Sequence, residues 1–431
     1  MTAPRQPISL YRDRSGVAVA VPTPADDPFY SYTGKQPLPG ISPGTVLKTR
    51  RFPYHIMGFP TLLETTQLLY RTTSATGKPT VNVTSVIQPL ITLDETKVIS
   101  YQSAYDSLNR NDEPSYAISG GFTLGGIVPS VEAAVFGPLL AEGYAVVVPD
   151  TEGQRADFAA GPEYGMNTLD SLRAAFNSPT VGLPSDARVA LLGYSGGAIA
   201  TEWAAELAPT YAPDVDKRIV GAAMGGVLVH PAHNLHYVAG TGFWAGVMAM
   251  ALVGIGRAFE IDFTPYLNPF GARLFQEMTN ASIVNVLGRY PGLTWSDLAS
   301  AEYPAPESLP VYVTHANKLI MGTAGTPTIP LFIGQGARGE LEGTPGDRIG
   351  IGAGDGVMIA GDVRTLAREY CERGVTVYYE QYDALSHIWS IPVWLPAAIA
   401  WIRQRYAGVR APENCSSIAP GNKLDPIPMP A

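Results

Sequence analysis

The residues best suited to chemistry lie in Ala190-Leu191-Leu192-Gly193-Tyr194-Ser195-Gly196-Gly197-Ala198. Arg188 to Leu192 is a short, mostly apolar run of strand type, and Ala198 to Ala208 has helical spacing and good helix formers. Gly-x-Ser-x-Gly between a strand and a helix is the nucleophile-elbow pattern. Such a turn is tight, so the serine is expected in a strained backbone region. Gly193 and Gly197 lack a Cβ, so strand and helix can close around it. Ser195 Oγ is then held above the sheet edge, and the N–H of Gly196 faces the space where an oxyanion forms. In a chain with 45 glycines the pattern alone also fits an ordinary glycine-rich turn. The flanking strand and helix favour the elbow.

A serine hydroxyl needs a base beside it, and the base needs an acid to orient it. Behind this elbow the chain order is serine, acid, histidine, each in a loop after a strand. Of six histidines, His55 precedes the elbow. His230, His233 and His236 recur at spacing three directly after a strand, but no carboxylate or cysteine accompanies them as a metal set would require, so no metal is expected. His315 follows the strand-like Val311-Tyr312-Val313-Thr314. Only His387 falls late, after a strand and before a final helix, and it is the expected base. The acid candidates are Asp347, Asp355, Asp362 and Asp383. Asp355 opens a Gly-Asp-Gly turn 32 residues ahead of His387, room for one helix and one strand, and is favoured. A second oxyanion N–H is expected from the loop Ala104-Tyr105-Asp106, where Asp106 also reads as a helix N-cap.

The elements that must position these groups alternate. Strands are read at 41–53, at Leu62 to Thr73 and Lys78 to Gln88 as a hairpin, and at Lys97 to Gln102, Tyr144 to Pro149, Ile219 to His230, Pro330 to Gly334 and Val375 to Glu380. Helices are read at Val131 to Glu142, Asn167 to Phe176, Val363 to Arg373 and Pro392 to Tyr406. Short apolar strands between helices of 10 to 15 residues signal βαβ units and a mostly parallel sheet, an α/β fold. Residues 1–40 are polar and proline-rich, an extended arm with Asp26-Asp27-Pro28-Phe29-Tyr30 as its anchor. The expected core is 41–230 with 310–431, interrupted by a helical cap over 231–309, and a glycine-rich excursion runs from Gln335 to Gly354.

Composition excludes several functions. Net charge is −9 with no Lys/Arg cluster, which argues against nucleic acid or an anionic membrane as partner. Tyr237 to Gly256 carries no charge, but it is rich in Gly and Ala, lies mid-chain and has no second span, so a buried or lid helix is expected rather than an integral membrane segment. Cys371 and Cys415 either pair once or stay free. Met1 to Leu10 shows no apolar signal region, so a cytoplasmic protein is expected.

Several stretches resemble the secretory lipase family: Asp27-Pro28-Phe29-Tyr30, Ser100-Tyr101-Gln102-Ser103-Ala104-Tyr105-Asp106-Ser107, Pro114-Ser115-Tyr116, Pro149-Asp150-Thr151-Glu152-Gly153, Leu169-Asp170-Ser171-Leu172-Arg173-Ala174-Ala175, Gly193-Tyr194-Ser195-Gly196-Gly197-Ala198, Asp355-Gly356-Val357, Cys371-Glu372-Arg373-Gly374 and the late His387. The resemblance implies an α/β-hydrolase fold with a helical lid, cleavage of carboxylic esters, a triad of Ser195, Asp355 and His387, and oxyanion donors at Asp106 and Gly196. The family commonly has a disulfide cysteine before Pro-Ser-Tyr where this chain has Glu113. Together with the absent signal region, that departure implies adaptation to a reducing compartment. The expected substrate is a small hydrophobic ester or lactone rather than bulk triglyceride, with no cofactor. Tyr105, Tyr194, Phe243, Trp244 and Met248 are expected to bind it, and Phe243, Trp244 and Met248 serve equally as lid core. An acyltransferase on the same triad and a non-catalytic binding module are the alternatives. Assembly into a homo-oligomer is left open.

Overall fold

The computed structural model describes residues 10–12, 18–91, 94 and 96–430. Much of the expected N-terminal arm, residues 1–9 and 13–17, lies outside the described residues, and with it nearly all of the stretch read for a signal region. The rest of the arm includes a short antiparallel pair, β1 (Leu10–Arg12) with β2 (Ala18–Ala20), and a 3-10 turn at Pro28–Tyr30. Asp27 caps that turn through Phe29 N–H, and its carboxylate pairs with Arg50 of the core.

Nine further strands form one sheet: β3 (Val46–Ile56), β4 (Phe59–Thr73), β5 (Pro79–Ile87), β6 (Lys97–Gln102), β7 (Ala145–Pro149), β8 (Arg188–Tyr194), β9 (Ile219–Gly225), β10 (Leu331–Gly336) and β11 (Val377–Tyr382). Their order is β11-β10-β9-β8-β6-β7-β5-β4-β3. The pairs from β7 to β11 are parallel, and β3, β4 and β5 extend the sheet antiparallel. Central strands are apolar on both faces, as Ala-Val-Val-Val-Pro in β7 shows, because helices cover the sheet twice. Helices α1 (Ala133–Ala141) and α9 (His387–Tyr406) bury Phe136, Leu139, Trp394 and Ile402 on one face. Helices α2 (Gly161–Asn177), α3 (Gly196–Tyr211) and α8 (Ala360–Glu372) bury Leu169, Trp203 and Tyr370 on the other.

Between β9 and β10 the chain is helical, with no strand among the described residues. It contains α4 (Pro231–Val238), α5 (Ala245–Ala258), α6 (Pro269–Glu277) and α7 (Pro310–Ala316), packed around Trp244, Met248, Phe263, Leu298 and Tyr312. The uncharged run from Tyr237 is broken after Val238 by a turn through Gly240, and α5 has 14 residues. No helix among the described residues is long and apolar enough to cross a membrane.

Two strand readings are corrected. Val311-Tyr312-Val313-Thr314 lies inside α7: Pro310 occupies the first helical turn, and burial of Tyr312 and Val313 in the insertion outweighs β-branched preference. The strand expected to run to His230 ends at Gly225, where Gly226 takes φ +62° and turns the chain away. The C-terminal segment runs back over the molecule. Cys415 is disulfide-bonded to Cys371 at the end of α8, Asn422 bonds Asp362, and Asn317 bonds both the N–H and the C=O of Ile427.

Candidate active site

Ser195 stands between the end of β8 and the start of α3, with φ +55° and ψ −121°, the strained conformation expected of the elbow. A Cβ on Gly193 would fall 2.2 Å from Gly197 O, and one on Gly197 would fall 2.1 Å from Gln102 O. The turn therefore closes only with glycine at both places. Ser195 N–H donates to Gly225 O on the neighbouring strand at 2.9 Å, which fixes the elbow to the sheet.

The parallel register brings distant loops to this point. Gln102 of β6 faces Gly193 of β8, so the loop after β6 runs alongside the elbow. His387 begins α9, just beyond β11. Its backbone is held by its N–H to Asp355 O at 2.7 Å and by Tyr194 Oη donating to its carbonyl at 2.6 Å. Its Nε2 lies 2.8 Å from Ser195 Oγ and its Nδ1 lies 2.7 Å from Asp355 Oδ2. A proton on Nδ1 satisfies both contacts: Nδ1–H donates to the carboxylate, and Nε2 accepts from the serine hydroxyl.

Of the four acid candidates, only Asp355 reaches the histidine. Asp347 is exposed, Asp362 bonds His233 and Asn422, and Asp383 bonds Gln381. Asp355 is fully buried. Its Oδ1 accepts from Val357 and Met358 N–H at 3.1 and 2.7 Å, and Gln335 Nε2 donates to Oδ2 at 2.9 Å. Burial pulls the imidazole pKa down. The Asp355 charge and hydrogen bond, aided by Glu342 and Asp106, reverse this and hold it above the ordinary 6.5.

Asp106 takes φ +33°, and its carboxylate lies against the elbow: a Cβ on Gly196 would fall 1.7 Å from Oδ1. Among the described residues, neither Asp106 N–H nor Gly196 N–H donates to another protein group. Burial pushes the Asp106 carboxyl up to about 7, against the lowering effect of His387. Sequence reading missed the two buried carboxyls that hold this loop. Glu132 accepts Ala104 N–H at 2.8 Å, and Glu152 accepts Ser107 N–H on both oxygens at 3.1 Å.

An apolar cavity with about 60 Å³ of accessible space lies in the helical insertion. Met248, Leu252, Phe263 and Ala316 line it, together with Ala159 and Val357 from the core. Of the five residues expected to bind substrate, only Met248 lines this cavity. Trp244, one helical turn before Met248, meets the His387 ring edge to face at 5.4 Å. Tyr105 is fully buried with its hydroxyl accepting Glu152 N–H, so it supports the loop from inside. Tyr194 packs between His387 and Trp394, and Phe243 packs edge-on to Trp244.

The other histidines have other partners. His230 and His233 stack at 3.8 Å, and His233 bonds Asp362 and His236 bonds Glu307, carboxylates from far along the chain. His315 bonds Val311 O within α7. Among the described residues no group of three or more His, Cys, Asp or Glu could hold a metal ion.

The family model described as secretory lipase matches residues 121–414. A protein of Mycobacterium tuberculosis named a probable inactive lipase is 32% identical over 394 residues, covering 89% of this chain and 83% of the relative. Lipase 1 of Candida albicans is 30% identical over 419 residues, covering 92% and 84%. The structure of Candida antarctica lipase A in its closed state superposes with a TM-score of 0.78 at 27% identity, over 95% of this chain and 93% of that one.

These findings overturn the expectation of a cytoplasmic protein adapted to a reducing compartment. The family is a secretory one, and Cys371 and Cys415 are joined in a disulfide, the bond that persists in oxidising surroundings. The case against bulk triglyceride, which rested on a cytoplasmic setting, falls with it. The match spans most of the chain in both sequence and fold: this protein belongs to the secretory lipase family of α/β-hydrolases and is a carboxylic ester hydrolase.

Proposed function

We propose that the protein cleaves hydrophobic carboxylic esters or lactones through an acyl-enzyme on Ser195. The observation that carries this reading is the unbroken hydrogen-bonded chain from Ser195 Oγ through His387 to Asp355. His387 Nε2 takes the hydroxyl proton as Oγ attacks the carbonyl carbon, and Asp355 steadies the imidazolium. The carbonyl oxygen becomes an oxyanion between the N–H groups of Asp106 and Gly196, each worth about 3 kcal/mol of barrier. His387 returns the proton to the leaving alkoxide. Water then repeats the cycle on the acyl-enzyme and releases the acid. For a lactone, alcohol and acid leave as one molecule. The helical insertion acts as a cap whose apolar cavity, walled by Met248 and by Val357 two residues after Asp355, takes the acyl chain.

One relative carries the name of a probable inactive lipase, so the experiment tests the Ser195 nucleophile directly. A fluorophosphonate probe should label the wild type and leave Ser195→Ala unlabelled. No labelling of the wild type overturns the reading. p-Nitrophenyl esters of rising chain length, run beside aromatic macrolactones, identify the substrate. A product ester formed on adding an alcohol would instead mark an acyltransferase.

A further inference from the structure

That mechanism leaves one carboxylate beside the site unused. Glu342 ends the 3-10 turn Gly339–Glu342, inside the glycine-rich excursion between β10 and Asp355. Its Oε2 accepts the indole N–H of Trp244 at 2.9 Å. Its Oε1 accepts the backbone N–H of Ile388, the residue after His387, at 2.8 Å. A Cβ on Gly356 would lie 2.8 Å from Glu342 Oε2 and 2.9 Å from Trp244 Nε1, so carboxylate and indole close directly over the residue next to Asp355. Trp244 in turn stands edge-on to the His387 ring, with the two planes at 87°. One side chain thus joins the helical insertion, the excursion and the first turn of α9. It also places a negative charge at a helix N-terminus, where such a charge is stabilised.

We propose that Glu342 is a positioning residue with two tasks: it supplies a second negative charge to the His387 imidazolium, and it latches Trp244 of the insertion over the site. This rests on the serine-hydrolase reading above. The charged or titratable groups facing the imidazole are Asp355 ahead of α8, Asp106 after β6 and Glu342, with the Tyr194 ring packed against it from the elbow. Asp355 holds Nδ1, and Asp106 stands over Gly196. Glu342 has neither place. Both its oxygens are spent on N–H groups that fix Trp244 and Ile388, the neighbours of the histidine in space and in sequence.

The test is the pH profile of ester hydrolysis, with a thermal melt for each protein, in wild type, Glu342→Gln, Glu342→Asp and Trp244→Phe. The base must be neutral to accept the serine proton, so activity falls as pH drops through the imidazole pKa. Removing a nearby negative charge lowers that pKa. Glu342→Gln should therefore move the acid limb down by roughly half a pH unit or more and lower plateau kcat several-fold. Glu342→Asp keeps the charge and should restore the acid limb to its wild-type position. Trp244→Phe keeps the aromatic contact but loses the latch. It should raise KM for long-chain esters and shift the limb in the same direction as Glu342→Gln, but less. If the Glu342→Gln limb overlies the wild type, or if Gln and Asp shift alike, the proposal is overturned. Should Glu342→Gln fail to fold, Trp244→Phe decides, and an unchanged KM with an unchanged limb overturns the proposal. Labelling lost in Ser195→Ala together with an unmoved Glu342→Gln profile removes only the Glu342 role. An unlabelled wild type removes the parent reading.

Discussion

Gln335 donates its side-chain amide to Asp355 Oδ2, the same oxygen that receives Nδ1–H of His387. The other end of this amide accepts Val227 N–H at 3.1 Å, so it ties the carboxylate to the loop after β9. Gln335→Leu would leave that buried oxygen one donor short and free the carboxylate to turn. Losing such a bond costs about 1–2 kcal/mol, so kcat/KM should fall roughly tenfold, mostly in kcat. Steady-state kinetics on a p-nitrophenyl ester checks this.

Gly226 touches the imidazole from the other side. A Cβ there would fall 2.6 Å from His387 Cε1, and the backbone stands at φ +62°. Gly226→Ala should push the ring off Ser195. A displacement of about 1 Å costs on the order of a hundredfold in rate, so fluorophosphonate labelling should slow by about that factor. A variant that labels at the wild-type rate would mean the ring has room to spare.

Two groups set the pH response. The His387 pKa lies above its ordinary 6.5, so the acid limb of kcat/KM should fall above that value. Asp106 ionises at about 7, and its negative charge then stands against the elbow where an oxyanion must form. Activity should decline as pH rises through that point. Asp106→Asn, which cannot ionise, should keep its activity on the alkaline side. Matched pH–rate profiles of the two proteins test this.

Stability should also fall with rising pH. Burial raises Asp106 and Glu132 to about 7 and Glu163 to about 8, and pushes Glu113, Asp150 and Glu152 upward as well. A carboxyl whose folded pKa is raised favours the fold while protonated. That contribution is complete below the unfolded pKa near 4 and is lost as pH rises through 7 to 8. The melting temperature should be higher near pH 5 than near pH 9. A flat or opposite trend in thermal melts would show that these groups are hydrated in solution.

The Cys371–Cys415 bond closes a loop of 44 residues between α8 and the C-terminal segment. Chain-entropy arguments give such a crosslink about 2–4 kcal/mol. Dithiothreitol, or Cys415→Ser, should lower the melting temperature and leave kcat at 25 °C near wild type, because neither cysteine takes part in the hydrogen bonds among Ser195, His387 and Asp355.

What was legible in the sequence was either local or ordered along the chain. Ser195 between two glycines after an apolar strand could be read because the elbow needs those residues as direct neighbours. His387 could be read because it follows the last strand, and Asp355 because it opens a turn at a workable distance. Glu342 and Gln335 left no such trace. Glu342 sits in an excursion without periodicity, and its partners Trp244 and Ile388 lie 98 and 46 residues away. Tyr105 shows that a motif position does not give a direction, since it lies within the oxyanion loop yet turns into the core. Cys371 and Cys415 carried no pairing signal, because only the fold of the terminal segment brings them together. Val311 to Thr314 looked extended residue by residue, but Pro310 and the packing around Tyr312 made it a helix.

The helical insertion leaves the sheet at Gly225, the end of β9, and rejoins it at Leu331, which starts the parallel strand β10 and pairs with Ala222. Some hundred residues are thus strung between two adjacent parallel strands without adding a strand to the sheet. Relatives could exchange this whole segment, and with it the kind of molecule admitted, while the serine, imidazole and carboxylate keep their places.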